Sequence, residues 1–204
     1  MKRALVLGCG AIAHELVAVF RANQWEHIDI QCLPAIWHNT PEKIVPGLRE
    51  KLNEHATDYE RIFIAYGDCG TGGKLDAFID EQHDKGITHL ERLPGDHCYA
   101  FFSGVEEFNR ISGDELGTFY LTDYLAAHFE RLILDDLGIT KHPELLPMYF
   151  GNYTRLLYLS QQPTDELLEK ARSAATQLQL TFEHIHTGLK PFDNALQGIR
   201  IVTD

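Results

Sequence analysis

The chain has 204 residues, 44% of them hydrophobic and 24% charged, with a formal net charge of −12. This is the composition of a globular protein with ample material for a core, and its dispersed acids and lack of a basic stripe argue against a nucleic-acid partner or an anionic membrane surface. No apolar run approaches the roughly 18 residues of a membrane span, and the four apolar residues Ala4 to Leu7 are too few for a signal-peptide core. The expectation is therefore one cytoplasmic domain over residues 1–204, whose four cysteines are thiols rather than disulfides.

Ala4-Leu-Val-Leu7 reads as a buried strand, continuous rather than alternating. Gly8-Cys9-Gly10-Ala11-Ile12-Ala13 then opens a helix to about Asn23. Its Gly8-x-Gly10-x-x-Ala13 spacing matches the dinucleotide fingerprint. The next strand, 27–33, ends in Leu33-Pro34, without the acid that binds a ribose in NAD sites. Trp37-His38-Asn39-Thr40-Pro41 forms a loop, and a helix follows with Ile44, Leu48 and Leu52 on one face. A strand at 61–66 leads into Tyr66-Gly67-Asp68-Cys69-Gly70-Thr71-Gly72-Gly73, then a helix from Lys74. A fourth strand is expected at 87–93, followed by the loop Pro94-Gly95-Asp96-His97-Cys98-Tyr99.

Helical spacing resumes at Phe101, and a longer helix is expected from Thr118 to Asp136 on the stripe Leu121, Leu125, Phe129, Ile133 and Leu137. Its opening cluster, Thr118, Tyr120, Thr122 and Asp123, reads equally as capping or as a pocket wall. A strand at 156–159, a helix capped by Thr164, a strand at 181–186, a short helix and an edge strand at 199–202 complete the pattern. Strands alternate with helices. The fold class is α/β: Rossmann-like, a mainly parallel sheet with helices on both faces and a helical insertion or cap around 99–137.

In such sheets ligands bind outside the carboxyl ends of the strands. Cys9, Cys69 and Cys98 fall in loops at three of those ends, whereas Cys32 lies within its strand. Three thiols with His38 or His97 as fourth ligand suit Zn²⁺ or an Fe–S cluster. A second reading drops the metal: Gly8, Gly10, Gly67, Gly70, Thr71 and Gly72 cradle a nucleotide or an S-adenosylmethionine-type methyl donor. Gly73 stands where a phosphate loop needs Lys, so a triphosphate is disfavoured. A third reading makes Cys69 a nucleophile, its pKa lowered by the following helix start, with Asp68 or His97 handling the proton.

Taken together, Cys9-Gly10-Ala11, Trp37-His38-Asn39 with Pro41, Tyr66 to Gly72, His97-Cys98-Tyr99, Gly117 to Asp123 and Phe150-Gly151-Asn152-Tyr153 carry a resemblance. Over nearly the whole chain it resembles a prokaryotic domain family of unknown function, DUF1638. That family's pattern has Glu after His-Cys-Tyr, where this chain has Ala100. The resemblance implies no established reaction. It implies an association with methylamine and corrinoid methyl-transfer systems, and hence a protein partner there.

Overall fold

A computed structural model describes residues 4–55 and 57–199. In chain order the elements are β1 (Ala4–Cys9), α1 (Ala13–Ala22), β2 (Ile28–Leu33), α2 (Ile44–His55), β3 (Arg61–Ala65), α3 (Lys74–Asp84), β4 (Leu90–Arg92) and α4 (Cys98–Ser103). There follow α5 (Val105–Asp114), β5 (Thr118–Leu121), α6 (Asp123–Ala127), α7 (Leu146–Phe150), β6 (Arg155–Ser160), α8 (Asp165–Leu178), β7 (Thr181–His186) and α9 (Lys190–Leu196). The strands form two sheets, β2-β1-β3-β4 and β5-β6-β7, and every pairing is parallel. The α/β expectation is met. No helix among the described residues is long and apolar enough to cross a membrane.

Contacts divide the chain into two compact units, Met1–Phe101 with Phe192–Asp204, and Phe102–Pro191. In the first, β1 is buried on both faces, as its unbroken apolar run requires. Leu5, Leu7, Ile62 and Ile64 pack against Ile44, Leu48 and Leu52 of α2 and Leu75, Phe78 and Ile79 of α3. On the other face Gly8 admits α1 so closely that a Cβ there would stand 2.9 Å from Leu16 Cδ1. Helices therefore cover both faces of this sheet.

In the second unit β6 is the central strand, and Leu156, Leu157, Tyr158 and Leu159 are fully buried. The small residues Ala171, Ala174 and Ala175 give α8 a buried face, and Leu178 extends it. Thr164 caps α8 by accepting the Leu167 N–H at 3.2 Å, as its sequence position predicts.

The long helix expected from Thr118 is corrected. Thr118-Phe-Tyr-Leu121 is a strand, the seed of the second sheet. A β-branched and aromatic tetrapeptide suits a pleated, partly buried surface, and pairing with β6 outweighs the four-residue spacing that begins at Leu121. Helix starts only after Thr122, whose hydroxyl accepts the Leu125 N–H at 3.4 Å. It gives way to a π-helical stretch at Glu130–Asp135. The stretch 99–137 is thus helical around a strand rather than a purely helical cap. Of the edge strand expected at 199–202, Ile199 closes a 3₁₀ turn and the remainder lies outside the described residues.

Neighbouring residues of α2 separate core from surface energetics. Leu48 is fully buried, whereas Arg49 forms an ion pair with Glu81 at 2.7 Å with both side chains 39% exposed. Leu48→Ala should lower unfolding stability by about 2–5 kcal/mol. Arg49→Ala should cost less than about 1 kcal/mol. Urea titration of the two variants checks the ranking.

Candidate functional site

The order β2-β1-β3-β4 sends the β1–β2 and β2–β3 connections in opposite directions. The switch point lies between β1 and β3, and an open parallel sheet leaves its binding crevice there, outside the carboxyl ends. Cys9 ends β1, and Tyr66 to Gly73 leave β3. The loop after β4 brings His97 and Cys98 alongside.

The β3 loop turns through left-handed backbone at Cys69 (φ 48°), Gly70 (81°), Gly72 (65°) and Gly73 (81°). Asp68 clamps it, accepting the Thr71 hydroxyl at 2.6 Å and the N–H groups of Gly72 and Gly73 at 3.0 and 2.8 Å. Burial alone would raise the Asp68 pKa. The hydrogen bonds from Thr71, Gly73 and Gly72 and the Arg92 charge outweigh it and hold the carboxyl below its usual value. Asp68 is thus an anion committed to its own loop, a geometry that suits a clamp rather than a proton handler.

Gly67 is pressed against the next loop: a Cβ there would stand 2.8 Å from the Asp96 carbonyl and the His97 nitrogen. The Cys69 N–H donates to the Asp96 carbonyl at 3.0 Å. Gly10 is enclosed likewise, with Leu33 O at 3.0 Å and Ala35 N at 3.2 Å from its would-be Cβ. The close approach that a fingerprint glycine would grant a pyrophosphate is taken here by the protein's own chain. Gly70 faces Pro41 at 3.5 Å, while Gly72 has open space beside it.

The thiols of Cys9, Cys69 and Cys98 share one neighbourhood, as each influences another's ionisation. Burial first, then the Cys9 charge, pushes Cys69 up to about 11. Burial followed by Cys69 and Cys9 raises Cys98 well above an ordinary thiol. Burial also raises Cys9, against hydrogen bonds from the Ala11 N–H (3.4 Å) and Tyr66. The expectation that the start of α3 ionises Cys69 is therefore corrected. Asp68 already occupies the N–H groups entering that helix, and desolvation sets the thiol's pKa. Backbone N–H groups of Gly67 and Cys98 do bear on the Cys69 sulfur and favour its thiolate. Cys32 sits on the Gly8 face of the sheet, its Sγ 3.8 Å from the would-be Gly8 Cβ; burial and then Cys9 push it up to about 11.

His38, in the 3₁₀ turn Ala35–Asn39, and His97 form a second group, both partly open to solvent. Desolvation and then the His97 charge hold His38 below the usual imidazole value. Among the described residues no group of three or more His, Cys, Asp or Glu side chains is disposed to hold a metal ion.

Tyr66 was not singled out from sequence. It is 3% exposed, and its hydroxyl lies buried beside Cys9 without a hydrogen-bond partner of good geometry. The signal was present: continuing the β3 alternation from Ile62 and Ile64 puts Tyr66 on the same face, at the carboxyl end.

These features define a parallel α/β protein with a thiol cluster at the switch point of its first sheet. The chain belongs to the family described as protein of unknown function (DUF1638), whose model matches residues 32–196. No curated protein and no solved structure matches it.

Two outcomes follow from the loop contacts and the thiols. Gly67→Ala should destabilise the protein by about 1–3 kcal/mol, since backbone rather than a movable side chain stands in the way; thermal and urea unfolding check this. Cys69 keeps its proton more tightly folded than unfolded. Its stabilising contribution is therefore intact below about pH 9 and is lost as pH rises towards about 11. Urea titrations across that window should show a shallower decline for Cys69→Ser than for the unaltered, metal-free protein.

Proposed function

We propose that the protein binds a thiophilic metal, Zn²⁺ or an Fe–S cluster, through Cys9, Cys69 and Cys98, with His38 or His97 as fourth ligand. The observation carrying this reading is the grouping of three part-buried thiols in loops at the switch point of a parallel sheet. Each thiol alone is costly to ionise there, and a cation bound among them would reverse that cost.

The donor set fits such a group. Soft sulfur ligands select Zn and Fe–S centres. Ala11 already directs an N–H at Cys9, and Gly67 and Cys98 direct theirs at Cys69. Such N–H···S contacts tune metal thiolates. The buried Tyr66 hydroxyl beside Cys9 supplies one more donor. The side chains must rotate to converge, since they do not stand in ligand positions. A metal there would supply Lewis acidity or redox capacity. The setting suggested by the family resemblance is methyl transfer, where such a protein would act as enzyme or accessory.

Anaerobically purified protein should contain about one Zn²⁺ or one cluster per chain, and its optical spectrum separates the two. Adding Zn²⁺ to stripped protein near pH 7 should release about three protons, and affinity should fall as pH is lowered, because thiolates must form. Cys98→Ser should weaken binding by at least about tenfold. Less than about 0.2 metal per chain after anaerobic preparation overturns the reading, because three-thiolate sites hold metal tightly.

A further inference from the structure

The second sheet carries its own polar constellation at its carboxyl edge. The register of β6 and β7 sets Tyr158 beside His184 and Ser160 beside His186. Two residues apart on an edge strand, the histidines share one face. His184 Nε2 lies 2.8 Å from Ser160 Oγ, and His186 Nδ1 lies 3.2 Å from the same oxygen. Two imidazole nitrogens and a hydroxyl oxygen thus converge from adjacent strands.

Metal–nitrogen distances of about 2.0–2.1 Å in a tetrahedral site give ligand-to-ligand edges of about 3.3 Å. The two N···O separations are hydrogen bonds to one hydroxyl, which a metal would replace, and they bring both ring nitrogens within reach of one point beside the Ser160 oxygen. Both histidines are exposed, which leaves that point open to solvent and its last position free for water.

The supporting residues are rigid. Tyr158 stacks on His184 with ring centroids 5.1 Å apart and planes 18° from parallel. Its hydroxyl donates to Asp123 at 2.6 Å. The Asp123 carboxylate also accepts the N–H groups of Gln161 and Gln162, at 3.2 and 2.6 Å. The Ser160 carbonyl accepts the Thr187 N–H at 2.9 Å, which fixes the end of β7. Such partners orient metal-ligating histidines.

We propose that His184 Nε2, His186 Nδ1 and Ser160 Oγ form a second metal site, independent of the thiols. It takes a divalent cation of the Ni²⁺, Cu²⁺ or Zn²⁺ class, for which imidazole is the preferred protein ligand.

Ni²⁺ titration of the full-length protein, followed by imidazole NMR signals, tests it. Substoichiometric Ni²⁺ should broaden His184 and His186 before the other histidines, His38 and His97 beside the thiols set aside. His186→Gln lies on the exposed edge and should leave the fold intact. It should abolish early broadening at His184 and raise the calorimetric Kd at least tenfold, the loss that even an outer-shell partner costs. Cys9→Ser should leave this response unchanged, so failure of the thiol site and failure of this one are separately visible. Broadening at histidines outside both sites before His184 and His186, or an unaltered Kd in His186→Gln, reduces Ser160 to a tie between strands and overturns the proposal.

Discussion

The candidate thiol site depends on one backbone contact. Gly67 leaves β3 against the carbonyl of Asp96 and the nitrogen of His97, with no room between them for a methyl group. One residue pair further on, the Cys69 N–H bonds the Asp96 carbonyl. Two loops that parallel topology merely makes neighbours are thereby held at fixed distance. Cys69 and Cys98 ride on either side of that seam, so their proximity is a property of the main chain rather than of flexible side chains.

The seam also explains the electrostatics. Loops that meet this closely exclude water from the sulfurs between them, and desolvation then dominates each thiol's ionisation. The Asp68 clamp adds to this by taking up the N–H groups of Gly72 and Gly73, just ahead of α3. The result is a set of protonated thiols with N–H donors already in place, a poor nucleophile but a good latent ligand set. The carboxyl edge of the second sheet contrasts with it: its donors are imidazoles rather than thiols.

The alternation of helix and strand was legible because β1 and β3 carry short apolar runs, the mark of parallel burial, and glycine or proline follows each of β1 to β4 within two residues. Thr118–Leu121 was misread because a four-residue stretch satisfies helical spacing and strand preference equally; pairing with β6 decides it. In the same region Thr122 and Asp123 could be read as caps or as a pocket wall. Thr122 caps α6, while Asp123 gathers Tyr158, Gln161 and Gln162 from a strand end more than 30 residues away.

Sequence by itself determined the class of fold, the positions of three thiols at strand ends and the glycines of the β3 loop, since periodicity and backbone freedom are local properties. Tertiary structure decided what those glycines are for. Gly10 and Gly67 admit other segments of the same chain, whereas Gly72 has open space beside it. It also decided the ionisation of Cys69 and the meeting of His184 and His186 on Ser160, because burial and strand register arise only when distant segments pack.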